Sequence, residues 1–265
     1  MSDSNYSRRE VLSTVALAGA SFVSSYSLNA YAAPAGNPPG TAPSKARDRV
    51  PQASAALTGN HTVLPLPFAA SALNGISERM ITSHHDNNYA SAVKNLNRVE
   101  EELAKIAADT PPFIVAALRE KELTFRNSKT LHEAYFANLG GNGKRSGAID
   151  NALNQAYGSA ARWEGHFHAT GMGLGGGSGW SILDYELDTG TLRTVASGNH
   201  TQVLANGYPL LVLDMYEHAY QMDFGAGAAK YIDAFFANVK WDEVNRRLER
   251  AQRAFAIFRA TNPKL

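Results

Sequence analysis

The chain has 265 residues, with 25 Lys and Arg against 24 Asp and Glu for a formal charge of +1, and no cysteine. This balance, without a dense basic stripe, argues against a bulk nucleic-acid binder. The missing thiols exclude disulfides, thiolate zinc sites, iron–sulfur clusters and cysteine nucleophiles, which leaves His, Asp and Glu as strong metal ligands.

The first feature in chain order is Ser7-Arg8-Arg9-Glu10-Val11-Leu12, a twin-arginine pattern leading into a mildly apolar stretch from Val11 to Leu28. Ala30-Tyr31-Ala32 then supplies small residues for cleavage before Ala33. Together they predict a removable export signal over residues 1–32 and a periplasmic or extracellular destination. The apolar stretch is too short and too rich in Ser, Gly and Ala to form a stable membrane span, and no long apolar run follows it. Residues 33–63, rich in Pro, Ala and Gly, read as a tether. Roughly 200 residues remain, ample for a buried core.

From Ser77 to Ala108 the apolar residues Ile81, Val93, Leu96, Leu103 and Ile106 recur at helical spacing, and Pro111-Pro112 breaks the pattern. A second helix is predicted from about Pro112 to Leu139, kinked near Thr124 to Asn127 and ended by Gly140-Gly141-Asn142-Gly143. These make an antiparallel helical hairpin domain over residues 64–143. Residues 144–265 change character. A helix from Ala148 to His168 is followed by crowded glycines, then by two strands, Trp180–Leu187 and Leu192–Ala196, around the turn Asp188-Thr189-Gly190. A third strand over Tyr208–Leu213 and helices over about Ala226–Asn238 and Trp241–Ala260 complete the pattern. The expected fold class is α+β: a helical hairpin, then a three-stranded antiparallel sheet flanked by helices.

The chemistry concentrates in Leu211-Val212-Leu213-Asp214, an apolar run ending in a carboxylate, with His218 four residues on. An unpaired Asp214 would be expensive to bury there, and a bound cation removes that cost. His84 and His132, on the two predicted helices, could complete a three-His, one-carboxylate set suited to Mn or Fe. His166 and His168 fall at a predicted helix end and His61 in the tether, so none of them enters the set.

Asp214-Met215-Tyr216-Glu217-His218-Ala219-Tyr220 closely resembles the Asp-x-Trp-Glu-His-Ala-Tyr signature of iron/manganese superoxide dismutases. The likeness runs from about Leu64 to the end, through Leu64-Pro65-Leu66-Pro67-Phe68, Gly177-Ser178-Gly179-Trp180 and Val239-Lys240-Trp241. It implies one Mn or Fe ion per subunit, held by His84, His132, Asp214 and His218, with superoxide as substrate. The implied reaction is dismutation to oxygen and hydrogen peroxide through alternating M(III)/M(II) steps. Alignment on Val93-Lys94-Asn95-Leu96-Asn97 selects His84 over its neighbour His85, because adjacent helical residues point about 100° apart.

The resemblance also places His200 where the family hydrogen-bonds metal-bound solvent, with Gln202 less well placed. Ser128, where iron-type members often supply Gln, is too short to reach. Trp180 and Tyr216 become pocket walls. Glu217 would reach a metal-binding His of a partner subunit, with Tyr220 at the same interface, implying a homodimer or a dimer of dimers. Three departures accompany these matches: Ala92 stands for the gateway Tyr, Asn88 for the intermediate His, and the segment from Phe224 through Ala228 lacks the usual Arg, leaving Lys230 as the nearby cation. The competing reading is a binding protein that kept the ligand set and lost turnover. Oxygenases with two His and one carboxylate fit less well, because a fourth protein ligand blocks a position they need.

Overall fold

A computed structural model describes residues 59–261; the twin-arginine pattern, the cleavage site and the tether up to residue 58 lie outside the described residues. After a 3₁₀ turn at Ala70–Ala72, the first α-helix begins where Ser77 Oγ accepts the Met80 N–H at 3.1 Å, a side-chain N-cap. Helix α1 (Glu78–Ser83) passes directly into a π-turn (His84–Tyr89) and then into α2 (Ala90–Leu103). In the π-turn the Ala90 N–H reaches back to His85 O, one residue further than in an α-helix. α3 (Pro112–Ala137) starts on a proline, whose missing N–H costs nothing at a first helical position, and packs along α2. α3 runs through Thr124 to Asn127, where a kink is expected, without interruption. Thr124 Oγ1 donates to Glu120 O at 2.9 Å, which satisfies the hydroxyl without breaking the helix.

The helix expected over Ala148–His168 is two: α4 (Ala148–Tyr157) and α5 (Ala160–Leu174). Gly158 closes α4 with φ +80°, and Ser159 caps α5 by accepting the Arg162 N–H at 3.1 Å. A glycine stop followed by a serine start is a readable signal. Three antiparallel strands follow, β1 (Trp180–Glu186), β2 (Thr191–Ser197) and β3 (Gly207–Asp214), in the order β2-β1-β3. Their register sets Trp180 directly opposite Asp214. The chain then forms a 3₁₀ turn (Glu217–Ala219), α6 (Gln221–Phe224), α7 (Ala228–Ala237) and α8 (Trp241–Thr261). The architecture is α+β, as expected.

The core runs continuously from Ile81, Tyr135 and Phe136 of the hairpin to Trp163, Leu213, Tyr231 and Phe235 of the second half. Asn138, at the end of α3, staples the halves together. Its Nδ2–H donates to Val212 O (2.8 Å), its Oδ1 accepts from Arg247 Nη1 (2.8 Å), and its carbonyl accepts from Lys240 N (2.6 Å). Gly141 sits so close to the Val239–Lys240 backbone that a Cβ has no room, which accounts for one glycine of the run after α3.

The end of the expected tether is docked. Gly59 N–H and His61 Nε2 contact Glu100, the His61 backbone makes two bonds with the Asn97 amide, and Leu64 N–H donates to Tyr89 Oη at 2.9 Å. Among the described residues no helix is long and apolar enough to cross a membrane.

Candidate metal centre

Each half of the chain contributes two donors. His84 opens the π-turn and His132 lies in the last third of α3; Asp214 ends β3 and His218 sits in the 3₁₀ turn just after it. The three imidazoles converge on one oxygen. Asp214 Oδ2 lies 3.0 Å from His84 Nε2, 3.3 Å from His218 Nε2 and 3.6 Å from His132 Nε2. All four donor atoms fall within 4.8 Å of one another. Donors about 2.0–2.2 Å from a shared ion, at angles between about 90° and 120°, stand about 3.0–3.6 Å apart. His84, His132 and Asp214 are buried, and His218 alone keeps an edge toward solvent.

The surroundings aim these atoms. Tyr216 N–H donates to Asp214 Oδ1 at 2.9 Å, turning Oδ2 toward the imidazoles. His132 Nδ1–H donates to Ser128 O at 2.7 Å, which fixes the tautomer and leaves a lone pair on Nε2. His84 Nε2 and His132 Nε2 are buried and make no hydrogen bond. Two polar atoms orphaned beside an anionic oxygen are what a cation would satisfy.

Charge states agree with this. Burial holds His84 below its ordinary value and His132 down at about 3, so both rings stay neutral. Burial would push Asp214 up, but His218 and His84 outweigh it and hold the carboxyl well below its usual range. Neutral imidazoles around an ionised carboxylate form a donor set that fits Mn or Fe.

His200, in the connection after β2, joins the site's wall. Trp180 Nε1–H donates to His200 Nδ1 at 3.0 Å, so the ring's own proton sits on Nε2. The His200 ring stacks on Tyr216 at 4.8 Å and lies 6.3 Å from His132. Trp180 meets His132 edge-on at 5.1 Å, and Tyr216 stacks on His218 at 5.3 Å. Burial, then the Asp214 charge, pushes the Tyr216 hydroxyl up to about 12, and burial lowers His200. Gln202 faces away, its Oε1 accepting the Gly198 N–H at 3.0 Å.

The remaining sequence candidates distribute as follows. His85 turns from the centre, with Nε2 2.8 Å from Leu64 O and Nδ1 2.7 Å from Asp86 Oδ1. Asn88 is half-buried, and Ala92 is a buried residue of α2. Glu217 is exposed. The Tyr220 ring is buried against Tyr231 at 5.3 Å, and its hydroxyl accepts the Gly176 N–H at 2.9 Å. Lys230 is exposed, and His168 stands 3.6 Å from Asp233 on a separate surface.

Sequence reasoning did not assign Ser128 its role through the backbone, nor Tyr135 and Phe136, whose rings lie 5.1 Å from His84. Tyr89, next to Asn88 in the π-turn, has its ring 6.2 Å from His132 while its hydroxyl donates to Glu133 at 2.8 Å. The available signal for Ser128 was its position four residues before a helical histidine, within reach of Nδ1.

The α-hairpin domain model of iron/manganese superoxide dismutases matches residues 60–140, and the C-terminal domain model of the same family matches residues 145–247. An iron superoxide dismutase of Cupriavidus metallidurans is 44% identical over 190 residues, covering 71% of this chain and 96% of that protein. Manganese superoxide dismutase 1 of Halobacterium salinarum is 34% identical, covering 72% of this chain and 96% of its own length. An iron superoxide dismutase of Aquifex pyrophilus is 32% identical, with 71% and 91% covered. Two domain matches in order on one chain, over a centre with this donor geometry, make the protein a member of the iron/manganese superoxide dismutase family.

Proposed function

We propose that this chain dismutates superoxide, converting two superoxide anions and two protons into one oxygen and one hydrogen peroxide, with one Mn or Fe ion per subunit. The observation that carries the proposal is the convergence of three Nε2 atoms on Asp214 Oδ2. The ion would exchange single electrons with successive superoxides. His84, His132 and His218 contribute lone pairs and Asp214 one negative charge, and four protein donors leave a coordination position for solvent or substrate. His200, with Nδ1 occupied by Trp180, has its Nε2–H as the donor available to solvent in the cavity. Trp180 and Tyr216 wall off bulk water, and Tyr216 keeps its proton at working pH.

Refolding metal-free protein separately with Mn and with Fe, then measuring metal content and superoxide loss, tests this reading. One ion per chain with dismutation by at least one metal is expected. Full occupancy without turnover by either would leave a metal-binding protein in its place.

Two finer assignments accompany the proposal. The Glu217 carboxylate, exposed and without a hydrogen bond among the described residues, precedes His218 and would orient a ligand ring in a second copy. A homodimer is therefore expected, and a monomer in sedimentation at micromolar concentration would refute it. Ser7-Arg8-Arg9 supports export to the periplasm or beyond, with a mature N-terminus at Ala33; protein retained at full length in the cytoplasm would contradict that.

A further inference from the structure

We propose that Asn127 is a positioning residue for His200, an inference that rests on His200 acting on solvent in dismutation. β2 ends at Ser197 and β3 begins at Gly207, so His200 rides on an irregular connection rather than in the sheet. Side chains shape that connection from within. Ser197 Oγ donates to Asn199 O (2.5 Å), Thr201 N–H donates to Asn199 Oδ1 (2.8 Å), and Gly198 N–H donates to Gln202 Oε1 (3.0 Å). None of these contacts locates the connection relative to the ligands.

Asn127 does. Its Nδ2–H donates to His200 O at 2.7 Å, tying the backbone of that residue to α3. The next residue on α3 is Ser128, whose carbonyl holds His132 Nδ1 at 2.7 Å. Two adjacent residues of one helix thus fix a ligand ring and the backbone of the solvent-side histidine. Trp180 and Tyr216 then hold the His200 ring itself, by hydrogen bond and by stacking. Asn127 makes no hydrogen bond to any of the four donors, so its loss leaves the ligand set in place and releases the His200 backbone.

The variants are Asn127→Ala and Asn127→Asp. The aspartate keeps the size of the side chain, removes the donor and sets an oxygen against the His200 carbonyl. In ¹⁵N-labelled metal-free protein, long-range ring spectra report the His200 tautomer and backbone relaxation reports its order. Both variants are expected to show averaged His200 ring nitrogens and lower order confined to residues 198–202. After loading, metal content is retained, the metal's midpoint potential shifts, and kcat falls about tenfold with KM unchanged. Parental ring signals and relaxation in whichever variant folds would overturn the proposal. So would a parental midpoint potential in a variant whose connection has loosened. The metal-free measurements need no turnover, so failure of the dismutation reading would show in the parent protein and not in this comparison.

Discussion

Asp184 and Asp214 are both buried on the sheet, yet their carboxyls shift in opposite directions. Asp214 has imidazoles beside it and is held low. Asp184, at the irregularity between Leu183 and Asp184 in β1, is 2% exposed, and its Oδ1 has no partner. Burial alone raises it to about 7. Its folded value lies above its unfolded one, so its contribution to stability is complete below the unfolded value and is lost as pH rises through about 7. Asp184→Asn should therefore gain stability over the parent between about pH 5 and about pH 8, by on the order of 2–4 kcal/mol, read from urea midpoints. An equal difference at both pH values would refute the assignment. At this scale the four donors were legible, because Asp214 and His218 share a short motif and His84 and His132 lie on helices readable from periodicity. Tyr89 was not. A π-turn cannot be read from periodicity, and one extra residue in that turn changes which side chain faces α3.

Among the elements, the segment from Gly59 to Leu64 departs most from its composition. A Pro- and Gly-rich stretch predicts a tether, and the polar partners that hold this one lie on α2 and the π-turn. Glu100, 1% exposed, accepts from Gly59 N–H (3.1 Å) and Arg126 Nη2 (2.6 Å), and lies 2.9 Å from His61 Nε2. Those partners are visible only once α2 and α3 are packed, so no local pattern could announce them. Glu100→Ala strands these donors and is expected to lower stability by about 2 kcal/mol, while limited proteolysis near residues 59–64 accelerates. Unchanged cleavage at that segment would show that Glu100 does not pin it. The division of α4 from α5, by contrast, was written in Gly158-Ser159 and could have been read.

For the molecule as a whole, the centre is complete only when the hairpin and the second half of the chain are joined, since each supplies two of its four donors. Asn138 locks that junction through β3 and α8, and the donors behind it are interior except for one edge of His218. Uptake of Mn or Fe by folded, metal-free protein should thus follow the opening of this junction. Its temperature dependence should be as steep as that of unfolding, with rates rising about 3–6-fold per 10 °C. Fast, weakly temperature-dependent uptake would show that the His218 edge is a sufficient doorway. A staple at residue 138 would thereby act as a lock on cargo. On that prediction the ion enclosed as the chain closes is the ion the protein keeps, and the competition between iron and manganese is decided by the supply at the moment of folding.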